Sequence, residues 1–259
     1  MKPLTVAWFS AGVSSAVATK LALRNDGVDH IIYTHIDDQH PDTERFLREC
    51  EHWFCRPIER VQSHLRTVVD ALLAVGGCFM RGPSGAPCTR LLKIRVRKEW
   101  ERAHPGPKRY IWGMDCTEAD RLSRLRETMP EQEHVCPLID QRIAKTDAHE
   151  MLAACGIKRP AMYDLGYHNN NCVGCLKGGM GYWNKIRKDF PDVFAGRVAL
   201  ERRIGASILK RGGKPYYLDE LDPGMGRHEG PICNDCGIMC ELDRAALGEV
   251  EKGIQDVNA

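Results

Sequence analysis

Short apolar runs alternate with amphipathic segments along the first half of the chain. Leu4–Phe9 and His30–Ile36 are apolar and β-branched stretches of strand length, and Ala16–Leu23 between them has its apolar positions at helical spacing. The alternation continues with further strands at Ile58–Val61 and Arg109–Gly113 and further helices at Asp42–Phe54, Leu65–Val75, Thr89–Arg102 and Glu118–Thr128. Because strands that alternate with helices pair in parallel, the pattern predicts an α/β fold with a twisted, mainly parallel sheet and flanking helices.

The pattern changes at Lys145, after which helical and loop-like segments predominate and cysteines occur in clusters. We therefore place a domain boundary in the region 160–170. Residues 1–165 are then the sheet domain, and residues 166–259 form a helical, cysteine-rich region.

The composition is that of an ordinary globular protein, with 43% hydrophobic and 28% charged residues, and excludes a disordered polymer. Apolar runs such as Val68–Gly77 are too short to span a bilayer, so no transmembrane helix is expected. The start of the chain lacks a small-residue cleavage site, so we expect no signal peptide. The prediction is a cytoplasmic protein without a membrane partner.

The net charge is +2, but its distribution along the chain is uneven. Residues 81–126 contain twelve basic residues (Lys or Arg) and five acidic residues (Asp or Glu). Residues 176–214 contain ten basic and three acidic residues, whereas the tail from residue 215 contains three basic and ten acidic residues. Two basic stretches suit an anionic ligand or a nucleic acid, and they equally suit solvated helix faces.

Twelve cysteines in 259 residues is an unusual number for a chain without a secretory segment. Outside an oxidising compartment, such cysteines indicate metal, iron–sulfur or redox chemistry rather than disulfides. Cys172 and Cys175 form one C-x-x-C pair, Cys233 and Cys236 form a second, and Cys240 follows four residues later. The scattered thiols are interpreted as core or incidental residues, namely Cys50, Cys55, Cys78, Cys116, Cys136 and Cys155.

The loop Ser10–Ser15 follows the first predicted strand and precedes the first helix. Small residues there allow main-chain N–H groups to approach an anion, hydroxyl groups add donors, and the helix N-terminus adds a partial positive charge. A plain strand–helix turn has the same composition. The loop is not a Walker motif, since G-x-x-x-x-G-K-[ST] is absent.

Several short motifs occur in the order found in one known family. Trp8–Ser15 (WFSAGVSS) corresponds to S-G-G-x-D-S, and Ile36–Thr43 (IDDQHPDT) corresponds to D-T-G-x-x-F/H-P-E-T. Cys88–Lys93 (CTRLLK) corresponds to C-[ST]-x-x-L-K, and Gly113–Arg121 (GMDCTEADR) to G-x-R-x-x-E-S-x-x-R. The segments that match P-L-I, L-Y-x-x-G and C-x-x-C are Pro137–Ile139, Met162–Tyr167 and Cys172–Cys175.

Together these motifs, over about residues 6–178, resemble the phosphoadenosine-phosphosulfate (PAPS) reductase-like family of PP-loop adenine-nucleotide α-hydrolases. The resemblance implies an adenine nucleotide, ATP or PAPS, with its phosphates on Ser10, Ala11, Gly12, Val13, Ser14 and Ser15. It also implies that Asp37 lies near the nucleotide or its Mg²⁺, and that Lys93 and Arg121 neutralise phosphate or sulfate charge. The alternatives are a helix-capping role for Asp37 and a solvated basic helix face for the two cations. Glu118 is expected to order Mg²⁺ or to hold Arg121, and the alternative is a plain i, i+3 helix pair.

The cysteines allow two ligand sets. By resemblance to iron–sulfur members of the family, Cys88 joins Cys172, Cys175 and one C-terminal thiol around a [4Fe–4S] cluster. Alternatively, Cys172, Cys175, Cys233 and Cys236 form a tetrahedral Zn²⁺ site. Catalytic or unligated thiols are the third alternative. Asn169–Asn171, just before Cys172, is expected to shape a turn and to supply amide donors around the cluster.

The chain also departs from the family pattern. Ala11 stands where the loop motif has glycine, Ser14 replaces the aspartate of ATP-cleaving members, and Cys236-Gly237 lacks the histidine of the reductase motif E-C-G-x-H. The expected function is ATP-dependent, AMP-forming activation of an acceptor, with a nucleic acid as the candidate, followed by sulfur transfer from a sulfur donor. One alternative is PAPS or adenylylsulfate reduction with a thiol reductant and Cys236 as the attacking thiolate. A non-catalytic, zinc-dependent nucleic-acid binder is another. A second copy of the chain is also among the expected partners.

Overall fold

The computed structural model describes residues 2–25, 27–77 and 85–227 of the chain. The chain divides into two units that interleave along the sequence. The first unit comprises Met1–His35, His40–Gln62 and Val96–Asn170, and the second comprises Ile36–Gln39, Ser63–Arg95 and the residues from Asn171 onward. The domain boundary expected at residues 160–170 stays a prediction.

A five-stranded parallel sheet forms the centre of the first unit. Its strands are β1 (Leu4–Phe9), β2 (His30–His35), β3 (Glu59–Gln62), β4 (Lys108–Ile111) and β5 (Glu133–Val135). They lie in the order β3-β2-β1-β4-β5, and every neighbouring pair is parallel. The predicted α/β fold with a parallel sheet is confirmed, and the sheet has Rossmann-like topology.

The helices occur between the strands and after them. In chain order they are α1 (Val13–Asn25), α2 (Asp42–Phe54), α3 (Val68–Leu73), α4 (Arg95–Ala103), α5 (Ala119–Thr128), α6 (Pro137–Asp140), α7 (Lys145–Ala154), α8 (Ala161–Asp164), α9 (Met180–Asp189) and α10 (Pro191–Ile204). A π-helix, Thr89–Ile94, precedes α4, and short 3₁₀ turns occur at Cys116–Glu118 and Leu218–Glu220.

The core of the first unit fixes the position of α1. Ala16, Ala18 and Ala22 of this helix are at most 1% exposed and pack with the apolar side chains of β1, β2 and α2. Their small size allows a close approach of the helix to its neighbours, since no long side chain separates them. The first turn of α1 is thereby held beside the end of β1.

Several predicted elements agree with the structure, and their differences have physical causes. Helix Asp42–Phe54 has the predicted bounds, whereas α1 begins at Val13 rather than Ala16 because the serines of the loop lie inside its first turn. The predicted helix Thr89–Arg102 is a π-helix that continues as α4. The sequence analysis missed β5, which has three residues and no apolar alternation.

The second unit contains α3, the π-helix, α9, α10 and a β-hairpin that the sequence analysis did not predict. The hairpin pairs β6 (Leu209–Arg211) with β7 (Lys214–Tyr216) in antiparallel fashion. Its two-residue turn is Gly212-Gly213, with φ of 58° and 79°, the left-handed conformation that a type I′ turn requires at both positions. Apart from this hairpin, the regular elements described from residue 171 onward are helical, as expected. Within the described ranges, no helix has the length and apolar character needed to cross a membrane.

Candidate functional site

The loop Ser10–Ser15 joins the carboxyl end of β1 to the N-terminus of α1. The sheet order places β1 where the connections diverge, because the chain continues from β1 to β2 on one side and later returns to β4 on the other. In open parallel sheets, ligands bind outside the carboxyl ends of the strands at this point. The loop therefore occupies the position in the sheet where ligands commonly bind.

The backbone of this loop has an unusual conformation at Ala11. Its φ is 56°, in the left-handed region, and its side chain is fully buried. For an alanine this conformation costs about 1–2 kcal/mol, so the surrounding structure must hold it in place. One contact inside the loop contributes, since the Ser10 N–H donates to Ser15 Oγ at 2.9 Å.

The first turn of α1 offers main-chain donors. The N–H groups of Gly12, Val13, Ser14 and Ser15 precede the first helical hydrogen bond, which the N–H of the next residue makes to the Gly12 oxygen at 3.0 Å. Val13 N–H donates to Tyr163 Oη at 3.3 Å. The first turn has no acidic residue, so nothing in it opposes an anion at the positive end of the helix.

Asn170 supports the loop from a distant part of the sequence. Its Nδ2 donates to the Ala11 carbonyl oxygen at 2.9 Å and to Thr43 Oγ1 at 3.2 Å. The residue is 7% exposed, and its Oδ1 is buried without a hydrogen-bond partner among the described residues. Asn170 therefore ties the left-handed residue of the loop to the first turn of α2.

Gly113, just after β4, lies directly against the loop. A Cβ atom added to it would be 2.5 Å from Ser15 Cα and 2.7 Å from Ser15 N, closer than packed atoms allow. The glycine of the G-x-R-like motif is thus needed for the close approach of this segment to the first turn of α1.

Tyr163 belongs to a group of polar residues near the loop. The His149 ring packs edge-on against it at 4.7 Å between centroids, and Lys145 Nζ lies 5.9 Å from the centre of its ring. Lys145 also donates to Asn169 Oδ1. Burial lowers the pKa of His149 to about 4, with help from the positive charges of Arg159 and Lys145, so this ring is neutral at physiological pH.

Arg121, predicted to neutralise charge, is buried and held by Glu118. Its NH1 lies 2.5 Å from Glu118 Oε1, and both side chains are less than 10% exposed. Glu118 also accepts the Asp115 N–H, while Asp115 caps the following turn at Thr117. This contact between residues three apart agrees both with Glu118 holding Arg121 and with a plain i, i+3 pair, and the Mg²⁺ role stays a prediction.

In the second unit, the residues after β2 form two ion pairs. Asp37 Oδ2 accepts from Arg66 Nε at 2.9 Å, with the Asp37 side chain 31% exposed. Asp38 Oδ1 lies 2.6 Å from Arg197 NH2, and both side chains are nearly buried. Its other oxygen accepts the Val68 N–H at the start of α3 at 2.6 Å.

The C-x-x-C segment Cys172–Cys175 is a turn anchored at several main-chain atoms. The N–H of Val173 donates to the Asp38 carbonyl oxygen at 2.8 Å. Cys175 N–H donates to Tyr182 Oη, which donates in turn to the Cys172 oxygen. Gly174 has φ of 74°, and a Cβ on it would meet Val193 at 2.7 Å. Asp38 thus joins this turn to α3 and α10.

Neither a scan of protein-family models nor a search of curated proteins found a match to this chain.

The remaining predicted site residues are placed as follows. Cys88 is buried just before the π-helix, and Lys93 lies half-buried within it. Helices of this wide form occur often at functional sites. The cysteines Cys233, Cys236 and Cys240 lie outside the described residues.

The described part of the chain does not test whether the protein binds a metal ion or cluster. That part contains no group of three or more His, Cys, Asp or Glu side chains that could hold a metal ion. Both predicted four-thiol sets include a cysteine beyond residue 227, so the iron–sulfur and zinc assignments stay predictions.

The scattered cysteines differ in their surroundings. Cys50 and Cys136 are fully buried, and burial raises the pKa of Cys50 far above its usual value and that of Cys136 to about 12. These two thiols are core residues, as predicted. Cys55 and Cys155 are exposed, Cys116 is half-buried, and Cys78 lies outside the described residues.

The sequence analysis did not identify Asp38, Arg197 and Tyr182 as residues that support a site. Asp38 stands beside the predicted Asp37 and could have been considered with it. Arg197 is 159 residues from Asp38, and no spacing in the sequence indicates their pairing.

Proposed function

We propose that this chain is a PP-loop enzyme, similar to the PAPS reductase-like proteins, that binds an adenine nucleotide and carries out sulfur chemistry. The leading reaction is attack of an acceptor on the α-phosphorus of ATP, with pyrophosphate as leaving group. A sulfur nucleophile then displaces AMP from the activated acceptor. The proposed setting is the cytoplasm, with a nucleic acid as the candidate acceptor and a second copy of the chain as a candidate partner.

The observation that carries the proposal is the geometry of the Ser10–Ser15 loop. It follows the central strand at the point where the sheet order reverses, and it presents first-turn N–H groups with no acidic residue among them. The left-handed Ala11 is held by Asn170. These features suit a polyphosphate, which needs main-chain donors and a positive helix end.

Charge neutralisation is assigned to two cations. Lys93 and Arg121 would offset the negative charge that develops when phosphate groups are transferred. The bond from Arg121 to Glu118 orients its guanidinium group, so the arginine would act from a fixed position. Lys93 would act as a more adaptable point charge.

Mg²⁺ would be held by Asp37 together with phosphate oxygens of the nucleotide. One or two carboxylates plus phosphates are the usual ligands of this ion, so the donor type fits. When bound, the ion offsets phosphate charge. Arg66, which pairs with Asp37, orients this carboxylate.

The thiols would supply the sulfur side of the reaction. Cys88, Cys172, Cys175 and one of Cys233, Cys236 and Cys240 would hold a [4Fe–4S] cluster, and thiolates are the donors that such clusters use. The alternative is Zn²⁺ on Cys172, Cys175, Cys233 and Cys236. The anchored turn at Cys172–Cys175 suits either group, because its main chain is fixed before any ligand binds.

Sulfonucleotide reduction is the second candidate, and Ser14 favours it. This residue stands where ATP-cleaving members have aspartate, and the first turn of α1 contains no carboxylate. PAPS or adenylylsulfate arrives already activated, so its reduction to sulfite by a thiol reductant does not need that carboxylate. Cys236 would then attack the sulfur as a thiolate.

The deciding experiment compares products from protein purified without oxygen. With ATP and Mg²⁺, alone or with transfer RNA or duplex DNA as acceptor, the first reaction yields AMP and pyrophosphate. With PAPS or adenylylsulfate and a thiol reductant, the second yields sulfite. Ser10→Ala and Lys93→Ala should each weaken nucleotide binding at least tenfold, whereas the matched surface variants Ser123→Ala and Lys98→Ala should not. Unchanged nucleotide binding in both site variants would favour a non-catalytic, zinc-dependent nucleic-acid binder.

Metal analysis of the same protein preparation distinguishes the iron–sulfur cluster from the zinc site. Iron and acid-labile sulfide in equal amounts, with broad visible absorption, indicate the cluster. Stoichiometric zinc without iron indicates the four-thiol zinc site and overturns the cluster assignment.

A further inference from the structure

The β6–β7 hairpin presents a group of exposed positive charges. Lys210, Arg211 and Lys214 are exposed at its tip, on either side of the Gly212-Gly213 turn. No acidic residue occurs from Ser207 to Leu218. None of the three cations pairs with a carboxylate in the part of the chain that the structure describes.

The charges are arranged in a way that folding alone does not favour. Arg211 and Lys214 are directly opposite each other in the strand register, and like charges at opposed positions of a hairpin destabilise it. A local arrangement that opposes stability is expected where a residue serves binding. The guanidinium of Arg211 lies 5.7 Å from the Tyr216 ring centre, which gives it partial orientation.

The base of the hairpin, in contrast, is fixed on both sides. The buried carboxylate of Glu201 in α10 accepts the N–H of Ile208 at 2.5 Å and that of Leu218 at 2.7 Å. Ser207 Oγ donates to the Leu209 oxygen and accepts the Tyr216 N–H. The two strands are therefore held at their origin, while the tip is exposed to solvent.

The first two acidic residues that follow the hairpin pair elsewhere. Asp219 and Glu220 follow the hairpin, but both pair with Arg202 of α10, at 2.7 and 3.0 Å. These two carboxylates therefore pair with α10 at the base of the hairpin and not with the three cations at its tip.

We propose that this hairpin tip binds the phosphate backbone of a nucleic-acid duplex, with the two-stranded ribbon entering a groove. A two-stranded β-ribbon fits the major groove of DNA, and Lys and Arg supply most contacts to phosphates. An anionic membrane suits the tip less well, because Pro215 is the sole apolar side chain from Lys210 to Pro215, and membrane-binding segments need several. The inference names the acceptor surface of the proposed enzyme and so rests on the proposed function.

The test measures binding of a fluorescein-labelled 20-base-pair DNA duplex to the full chain, without nucleotide, over a range of salt concentrations. The variant is Lys210→Gln/Arg211→Gln/Lys214→Gln. Its control, Arg24→Gln/Arg48→Gln/Lys158→Gln, makes the same change in net charge at exposed positions outside both basic stretches. Loss of three phosphate contacts should reduce the slope of log K against log salt by about 2.7 and the affinity on the order of a hundredfold at 0.1 M salt.

The tip variant should keep the melting temperature of the wild type or exceed it, since it removes like-charge repulsion, so lost binding cannot be ascribed to unfolding. Equal losses in the tip and control variants would overturn the proposal. So would binding to vesicles of phosphatidylglycerol and phosphatidylcholine, or to the single strand, as tight as that to the duplex. Because no nucleotide is present, duplex binding is measured independently of AMP or sulfite formation, and failure of either proposal can be recognised separately.

Discussion

The side-chain amide of Asn170 donates a hydrogen bond of 2.9 Å to the main-chain oxygen of Ala11, 159 residues earlier in the chain. Ala11 is the loop residue with left-handed backbone, so the contact falls on the peptide group that most needs support. The same amide also reaches Thr43 in the first turn of α2. The conformation of the candidate nucleotide loop therefore depends on a residue far from its own motif.

Asn170→Ala should lower the free energy of unfolding by about 1–3 kcal/mol, because it leaves the buried Ala11 oxygen without its donor. It should also weaken adenine-nucleotide binding, since the loop loses the contact that holds its main chain. Urea unfolding and a nucleotide titration measure the two effects. Asn25→Ala, at the exposed end of α1, serves as the control and should change neither. Nucleotide affinity equal to that of the wild type would show that Ala11 holds its conformation without this bond.

Two glycine-to-alanine substitutions should have opposite effects. At Gly113 the new methyl group would lie 2.5 Å from Ser15 Cα, so Gly113→Ala should destabilise the protein by several kcal/mol and displace the loop. At Gly196, inside α10, no atom lies within 4 Å of an added Cβ, and Gly196→Ala should stabilise by about 0.5–1 kcal/mol. Thermal unfolding of both variants checks the pair. A stable Gly113→Ala protein would contradict the close approach of β4 and α1.

Replacing only one partner of the ion pair between Asp38 and Arg197 should destabilise the protein strongly. Arg197→Met leaves the Asp38 carboxylate nearly buried without its cation, which costs about 3–5 kcal/mol. The double variant Asp38→Asn/Arg197→Met removes the charge as well and should recover part of the loss. The main-chain carbonyl oxygen of Asp38 accepts the Val173 N–H, so a displacement of Asp38 in the single variant should expose the C-x-x-C turn. Faster alkylation of Cys172 by iodoacetamide in the apo protein, read by mass spectrometry, measures that exposure.

Acid should weaken the fold through His149. Its pKa in the folded protein is about 4, below the ordinary 6.5, so the unfolded chain binds the proton more readily. The free energy of unfolding should therefore fall as the pH decreases from about 6.5 towards 4. Since the ring is only partly buried, solvent screening reduces the expected loss to about 1–2 kcal/mol. Urea unfolding at several pH values measures it, and His149→Gln should have a flatter profile over this range. Identical profiles would assign the acid sensitivity to other groups.

Glu201→Gln should destabilise the second unit although it removes a buried carboxylate. The two carboxylate oxygens accept two different main-chain N–H groups, whereas a glutamine side chain has a single acceptor oxygen. One N–H group would then face the NH₂ of the glutamine, at a cost of about 1–3 kcal/mol. Hydrogen exchange at Ile208 and Leu218 should accelerate. Glu127→Gln on the exposed face of α5 is the matched control, and equal exchange in both variants would contradict the assignment.

The sheet and its first loop could be predicted because local patterns determine them. Alternating apolar strands and amphipathic helices specify a parallel α/β fold, and helix Asp42–Phe54 even has the predicted bounds. The third to fifth strands are less certain from sequence. In β3 and β5 the three or four residues include exposed polar side chains, so pairing with neighbours determines these two strands rather than their own composition.

The residues that hold the candidate site in place could not be predicted in the same way. Asn170 bonds to Ala11, and Arg197 pairs with Asp38, across 159 residues in each case. Tertiary contacts of this kind leave no periodic signal in the sequence. The hairpin was a different kind of miss, because Gly212-Gly213 between two short β-prone runs is a recognisable turn signal that the surrounding helical pattern obscured.

Ala11 also limits the conformational freedom of the loop, which affects how the loop would bind a ligand. Two consecutive glycines would allow the peptide plane to rotate between conformers, and an alanine at the first position restricts that rotation. The loop therefore holds its conformation without a ligand, and little ordering entropy would be lost if an anion bound there. A rigid loop of this kind should bind a narrow range of anion shapes. Association should be fast, because it needs no conformational change in the loop.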